Sequence, residues 1–378
     1  MRIAAVACLL AAVFSSSAPA PPRFVTVDLQ RDWGVVYAVR LADVNADGRL
    51  DVVAINPSEL AWYESPSWQR HVVLRDAVPR DHVTIAAADV DGDGRVEIAL
   101  GAAWNPRNTT SGGTLHLARR SNPDGRGPWT VTPLGEEPTL HRIRWAPIGG
   151  RSRLVVTPLH GRGTAPPAWD GPGARIYTLT PPVGSGEWAM EAVDDTRHIL
   201  HNFLTTDFDG QAGDEIVTAS REGLTLFTRG ATGAWSSRVL AAGAPGEVAL
   251  GRVRGTRIFA TVEPWHGTSI VTYTESGATW TRHVIDDAVT GGHAVAWADF
   301  DGDGDDELVA GWRDKEIGLA LYDVDKAGLA SSRTMLDTAV AVEDLVVGDL
   351  NADGRPDIVA GGRSTGNIRL YLNQGAPR

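Results

Sequence analysis

Hydrophobic positions in this chain come in short aliphatic runs: Val52-Val53-Ala54, Ile98-Ala99-Leu100, Ile216-Val217-Thr218, Leu308-Val309-Ala310 and Ile358-Val359-Ala360. Runs this short and this rich in β-branched residues predict buried strands. A polar turn of one fixed spacing precedes every run. The five turns are Asp43-x-Asn45-x-Asp47-Gly48-x-x-Asp51, Asp89-x-Asp91-x-Asp93-Gly94-x-x-Glu97, Asp207-x-Asp209-x-Gln211-x-x-x-Glu215, Asp299-x-Asp301-x-Asp303-Gly304-x-x-Glu307 and Asp349-x-Asn351-x-Asp353-Gly354-x-x-Asp357. Each turn therefore joins two strands. A third strand follows, and a fourth starts near a tryptophan, at Trp68, Trp129, Trp188, Trp235 and Trp280. Those indoles are expected to pack between sheets.

A unit of about 45 to 60 residues built in this way predicts the blade of a propeller. Two further units, from His141 to Thr157 and from Glu247 to Thr261, keep the strands without the acids, so the count is seven. The last unit stops at its third strand, Asn367 to Asn373, while residues Arg23 to Leu29 form a strand with no unit of their own. The expectation is an all-β, seven-bladed β-propeller occupying residues 21–378, whose N-terminal strand closes the last blade and leaves no open sheet edge.

Oxygen-bearing side chains at positions 1, 3, 5 and 9 of a tight turn converge on one point, and hard oxygen ligands suit Ca2+. Up to five ions are expected, in loops that lack the flanking helices and position-12 acid of an EF-hand. The bland alternative is a set of metal-free Asx turns. It weighs most on the third loop, where Gln211 replaces an acid.

Met1-Arg2, an apolar run from Ile3 to Phe14 and the Ala18-Pro19-Ala20 site predict a secretory signal over residues 1–20. The mature chain is then secreted or periplasmic, with no second segment long enough to span a bilayer. The one cysteine, Cys8, lies in the signal, so no disulfide is expected. The formal charge of −12 becomes −13 without Arg2, and five Ca2+ would reduce it to −3. Ligand charge thus accounts for most of the acidity, and nothing basic points to nucleic acid.

If the acidic loops are the tips of the inner hairpins, the hairpins' open ends lie on the opposite face. There stand Tyr37, His82, His141, His201, Glu247, His293 and Glu343, and, after the second strands, His160, Arg162, Arg221, Trp265, His266, Arg313 and Arg363. Six of the ten histidines fall on this face, too many to be read only as solvated loop residues. A ring of imidazoles, guanidiniums and carboxylates around an axial depression suits a polyol, such as a small saccharide or glycan, or a small acid. Converging histidines would also hold an additional divalent metal. Loops 103–113 and 159–173 are expected to wall one side.

The acidic loops resemble those of FG-GAP/VCBS repeat propellers, as in integrin α-subunits. Pro158-Leu-His-Gly-Arg-Gly163, His201-Asn-Phe203, Glu263-Pro-Trp-His-Gly267 and Gly292-His-Ala294 are similar to the propeller domain of the aldos-2-ulose (anhydrofructose) dehydratases. That resemblance implies β-elimination of water from a keto-sugar, with a pocket histidine as base and a metal ion assisting. No cupin domains follow, so a later isomerisation attributed to them is expected to be absent. Elimination beside a carbonyl needs a base, an enolate stabiliser and an acid. The candidates are His160 or His266 as base, Arg162, Arg221 and Arg313 for substrate oxygens, and Tyr37, His201 or His293 as acid or metal ligand. His82, His141, Arg363 and Trp265 are expected to contact substrate.

A non-catalytic module binding glycan or protein on the same face is the competing reading. A hydrolase finds no support, since Gly-x-Ser-x-Gly, His-Glu-x-x-His and P-loop patterns are all absent. A monomer is expected.

Overall fold

The computed structural model describes residues 21–376 apart from 121, 123 and 185, so the signal expected over 1–20 lies outside the described residues. All described regular structure is β: seven four-stranded antiparallel sheets, arranged as a seven-bladed propeller. The innermost strands are Ala38–Ala42, Thr84–Ala88, Leu140–Ile148, Asn202–Thr206, Glu247–Val253, Gly292–Ala298 and Val342–Gly348, here taken as blades 1 to 7. Blade 7 is closed by Phe24–Gln30, which pairs antiparallel with Ile368–Asn373, Phe24 opposite Asn373.

The short hydrophobic runs are the second strands, such as Asp51–Ile55 and Asp357–Gly362, buried at every position. They run without alternation because neighbouring blades cover both faces of the sheet. Blades press together where side chains are missing. A Cβ on Gly311 would lie 2.4 Å from Val342, and one on Gly251 2.5 Å from the Trp297 ring. Fourth strands are half exposed, and Trp68, Trp129, Trp188, Trp235 and Trp280 pack against the clusters between blades.

Charge is also used between blades. Glu191, on the outer strand of blade 3, accepts bonds of 2.7 Å from each of Arg153, Arg229 and Trp235, the last two on blade 4. Arg229 foremost, with Arg153 and Trp235 behind it, holds the carboxyl down to about 2 against burial. A carboxylate whose proton affinity falls on folding lends stability above its unfolded value of 4.5 and withdraws it as pH drops through 2. Glu191→Gln should therefore cost about 1–2 kcal/mol at pH 7, allowing for partial solvent screening. In urea melts the gap between variant and wild type should close as pH falls from 4.5 towards 2.

Candidate functional site

Each innermost strand ends at an inner-hairpin tip and begins on the opposite face, and the histidines enter at the beginnings. His141, His293 and Glu343 each occupy a break in register between first and second strands. A bulge of this kind re-aims one side chain without disturbing the rest of the strand. His201 sits one residue before its strand, with its N–H bonded to Ala219 O.

Four imidazoles meet at the axis. Ring centroids are 4.3 Å apart for His201 and His266, 4.7 Å for His266 and His293, 5.1 Å for His201 and His293, and 4.8 Å for His141 and His201. His201 Nδ1 is bonded to Gly246 O at 3.0 Å and lies 3.0 Å from Glu247 Oε1, while His293 Nδ1 is bonded to Glu343 O. Both rings therefore turn Nε2 inward, and His266 Nε2 contacts His201 Nε2. One nitrogen each from His201, His266 and His293 falls within 4.8 Å of the others; His266 is exposed and the other two are buried. Burial, reinforced by Arg142, Arg313 and the other imidazoles, pushes His201 and His293 well below the usual histidine range, and His266, whose ring is partly enclosed against His201 although the residue reaches the surface, is lowered by the same causes. They are neutral at pH 7, as metal ligation requires. Nδ1–H locked on a backbone carbonyl, with Nε2 turned to a shared point, is the outer-shell arrangement of imidazole ligands.

His141 is held differently. It stacks on Trp104, with centroids 4.9 Å apart, and its Nε2 accepts from Arg142 at 3.2 Å. Opposite, Glu343 binds Arg313 and, at 2.8 Å, Arg363, whose guanidinium lies over the Tyr37 ring. Burial pushes the Tyr37 hydroxyl up, so it keeps its proton.

His160 is buried, stacked face to face on Trp169 at 3.7 Å, with Nδ1 shielded and unpartnered. Burial pushes it down to about 4. Its loop is tightly folded, since a Cβ on Gly161 would lie 1.7 Å from Pro172 O. Gly267 serves His266 in the same way, 2.0 Å from Glu263 O. Loops 103–113 and 159–173 are tied together by Thr109 to Thr164 O at 2.8 Å.

Three predicted residues stand apart. His82 is fully buried in its own blade, with neither ring nitrogen partnered. Arg162 turns outward to Glu137 at 3.3 Å. Arg221 binds Ala168 O and Asp170, bracing the loop that carries Trp169. Trp265, half-buried, has its indole nitrogen shielded and unpartnered. Arg142, Glu247 and Trp169 belong to the site but were not among the residues given roles from sequence.

On the other face, Asp89, Asp91 and Glu97 bring carboxylate oxygens within 4.8 Å of one another, as do Asp207, Asp209 and Glu215, and Asp299, Asp301 and Asp303. Loops 1 and 5 share the same turn: Asp43 accepts Asp47 N and Gly48 N, and Asp349 accepts Asp353 N and Gly354 N. The ninth-position acids Asp51, Glu97, Glu215, Glu307 and Asp357 are buried, each accepting the backbone N–H of position 2. Among the described residues these loops are all-oxygen donor sets, which fit a hard cation.

The FG-GAP-like repeat family matches residues 43–100 and 299–360, which hold loops 1, 2 and 4 and the fifth loop. The chain is a seven-bladed propeller that carries FG-GAP-like repeats in these two stretches. It is 26% identical over 255 residues to the aldos-2-ulose dehydratase of Phanerodontia chrysosporium, a match covering 57% of this chain and 28% of that protein. Among solved structures it resembles an Agrocybe aegerita lectin that recognises non-reducing terminal N-acetylglucosamine, with TM-score 0.55, 13% identity and coverage of 90% and 86%. It also resembles the extracellular domain of a hybrid two-component system from B. thetaiotaomicron, with TM-score 0.55, 13% identity and coverage of 93% and 40%. These two likenesses concern the fold.

Proposed function

We propose that this propeller acts on a small saccharide and, at the finer level, that it is a metal-assisted carbon–oxygen lyase of keto-sugars. The observation that carries the reading is the convergence of one nitrogen each from His201, His266 and His293, two of them fixed by backbone carbonyls. Three neutral imidazoles with one of them at the mouth suit Zn2+ with an open position. Such an ion, when bound, supplies Lewis-acid polarisation of the substrate carbonyl. The match to a dehydratase supports a sugar as substrate.

The chain's own groups divide the remaining work. His160 is neutral at pH 7, stands on the rigid Trp169 face and is near enough that its protonation would be felt at His201. It is our candidate for removing the α-proton. Tyr37, protonated and beside Arg363, is our candidate for protonating the departing hydroxyl. Arg313 and Arg363, both held by Glu343, orient substrate oxygens, and this role passes to them from Arg162 and Arg221, which bind elsewhere. On the other face we read the five acidic loops as Ca2+ sites.

The test is ultraviolet absorbance of 1,5-anhydrofructose and a panel of keto-sugars and uronate oligosaccharides incubated with the protein and with His160→Ala. A conjugated-enone or unsaturated-uronate band that the variant does not form supports the lyase. No band from any substrate, with glycan binding retained, would replace it with a binding module. Because His160 must be unprotonated to act, kcat/KM should rise as pH increases through about 4 and be level at 7. A rising limb centred near 6.5 would assign the base elsewhere.

A further inference from the structure

The axis of the propeller holds a second compartment, below the histidines and towards the acidic loops. It is a cavity of about 350 Å3 to which all seven innermost strands contribute, through residues in their middles and ends such as Arg40, Ala87, Ile143, Arg144, Val295 and Asp344. Asn202 and Glu247 form its floor on the histidine side, since both line the cavity and Glu247 also reaches His201.

The charges around it are unequally satisfied. Asp344 is taken by Arg40 at 2.6 Å and by Val39 N at 3.1 Å. Glu247 is taken by Asn202 and lies 3.7 Å from Arg142. Among the described residues no carboxylate lies within ion-pair distance of Arg144, although Asp344 and Glu247 are near enough to favour its charge. Its Nη2 donates to the neutral Asn202 Oδ1 at 2.9 Å, its guanidinium carbon sits 5.1 Å from the centre of the Phe203 ring, and its Nη1 is shielded from solvent without any partner. Burial pushes it down only to about 9, so it stays charged at neutral pH. Asp344 and Glu247 offset this charge from beyond ion-pair distance, so the guanidinium lines the cavity with no oxyanion in contact. A carboxylate is its matching partner, because two parallel N–H donors meet two oxygens.

We propose that this axial cavity is a binding site for a small carboxylate, seated by Arg144 with its apolar body against Ile143, Val295 and the alanines of blade 2. The aliphatic walls select against a bare inorganic anion, and the volume admits a ring-sized body. The site adjoins the histidine cluster through Glu247 but uses none of the imidazoles, so it does not depend on what that cluster does.

Isothermal titration with benzoate and with neutral benzamide tests it, using wild type, Arg144→Gln, Arg144→Lys and His266→Ala. Benzoate should bind the wild type and His266→Ala alike, benzamide should bind at least ~10-fold more weakly, and Arg144→Gln should lose at least ~10-fold in affinity. Arg144→Lys, which keeps the charge, should recover part of that loss; melting curves check that each variant is folded. The proposal is overturned if benzoate fails to bind the wild type, binds Arg144→Gln equally well, or depends on His266. Should Arg144→Gln fail to fold, the benzoate to benzamide ratio on wild type and Arg144→Lys still decides the matter.

Discussion

Replacing His266 by alanine is expected to abolish zinc retention at the axis and lower turnover about 10^3-fold or more, while the melting temperature stays within a few degrees of wild type. The rate loss follows from the several kcal/mol that a Lewis acid contributes to stabilising an enolate-like transition state. The unchanged melt follows from position: His266 is exposed at the mouth, on a loop after the second strand of its blade, and supports no core cluster. His201 and His293 are poorer tests, because each is buried and bonded to backbone, so their loss would mix folding with chemistry. Metal content by mass spectrometry and turnover by absorbance should fall together. Full activity in a metal-free His266→Ala protein would remove the proposed role.

The second large effect concerns the opposite face. On the proposal that the five acidic loops hold calcium, chelation should lower the melting temperature by about 18 °C. Each ion at a hundredfold excess over its dissociation constant stabilises by about 2.7 kcal/mol, and a chain of this size unfolds with an entropy near 2 cal/mol/K per residue. The loss should grow with pH. Burial pushes Asp51 up to about 6, Glu97 to about 7 and Glu307 to about 8, each with flanking aspartates adding to the rise. A carboxyl with raised proton affinity in the fold is harmless while protonated and costs stability as pH climbs through these values, unless a cation neutralises it. Calorimetry with and without chelator at pH 5 and pH 8 checks both statements. An unchanged melt at pH 8 would show the loops to be plain Asx turns.

The fold was legible because its signals are local. A turn of fixed spacing followed by a buried run repeats wherever two strands meet, and the strand left over at Phe24–Gln30 has one partner to find, Ile368–Asn373. The face that gathers the histidines follows from the same topology. What could not be read was where each side chain turns. Tyr37, His82 and His293 occupy corresponding positions before their loops, yet His82 enters the core of its blade while a bulge aims His293 at the axis. A bulge at one residue leaves no mark in a short polar sequence. The directions of Arg162 and Arg221 were hidden for another reason: their partners Glu137 and Asp170 lie on other loops, and competition between such partners is settled only in three dimensions. The stacking of His160 on Trp169 joins two ends of a single loop and was equally hidden.

The pairing of Phe24 with Asn373 also governs when the protein can be complete. A chain threaded out of a membrane pore or a ribosome presents its first strand long before its last. Blades 1 to 6 can form in order of emergence, but the ring stays an open horseshoe with exposed sheet edges until the final strand is delivered. Throughout that interval the strand Phe24–Gln30 has no correct partner, and a neighbouring molecule's free edge competes for it. Yield at high expression should therefore depend on how long the horseshoe persists rather than on the stability of the closed ring.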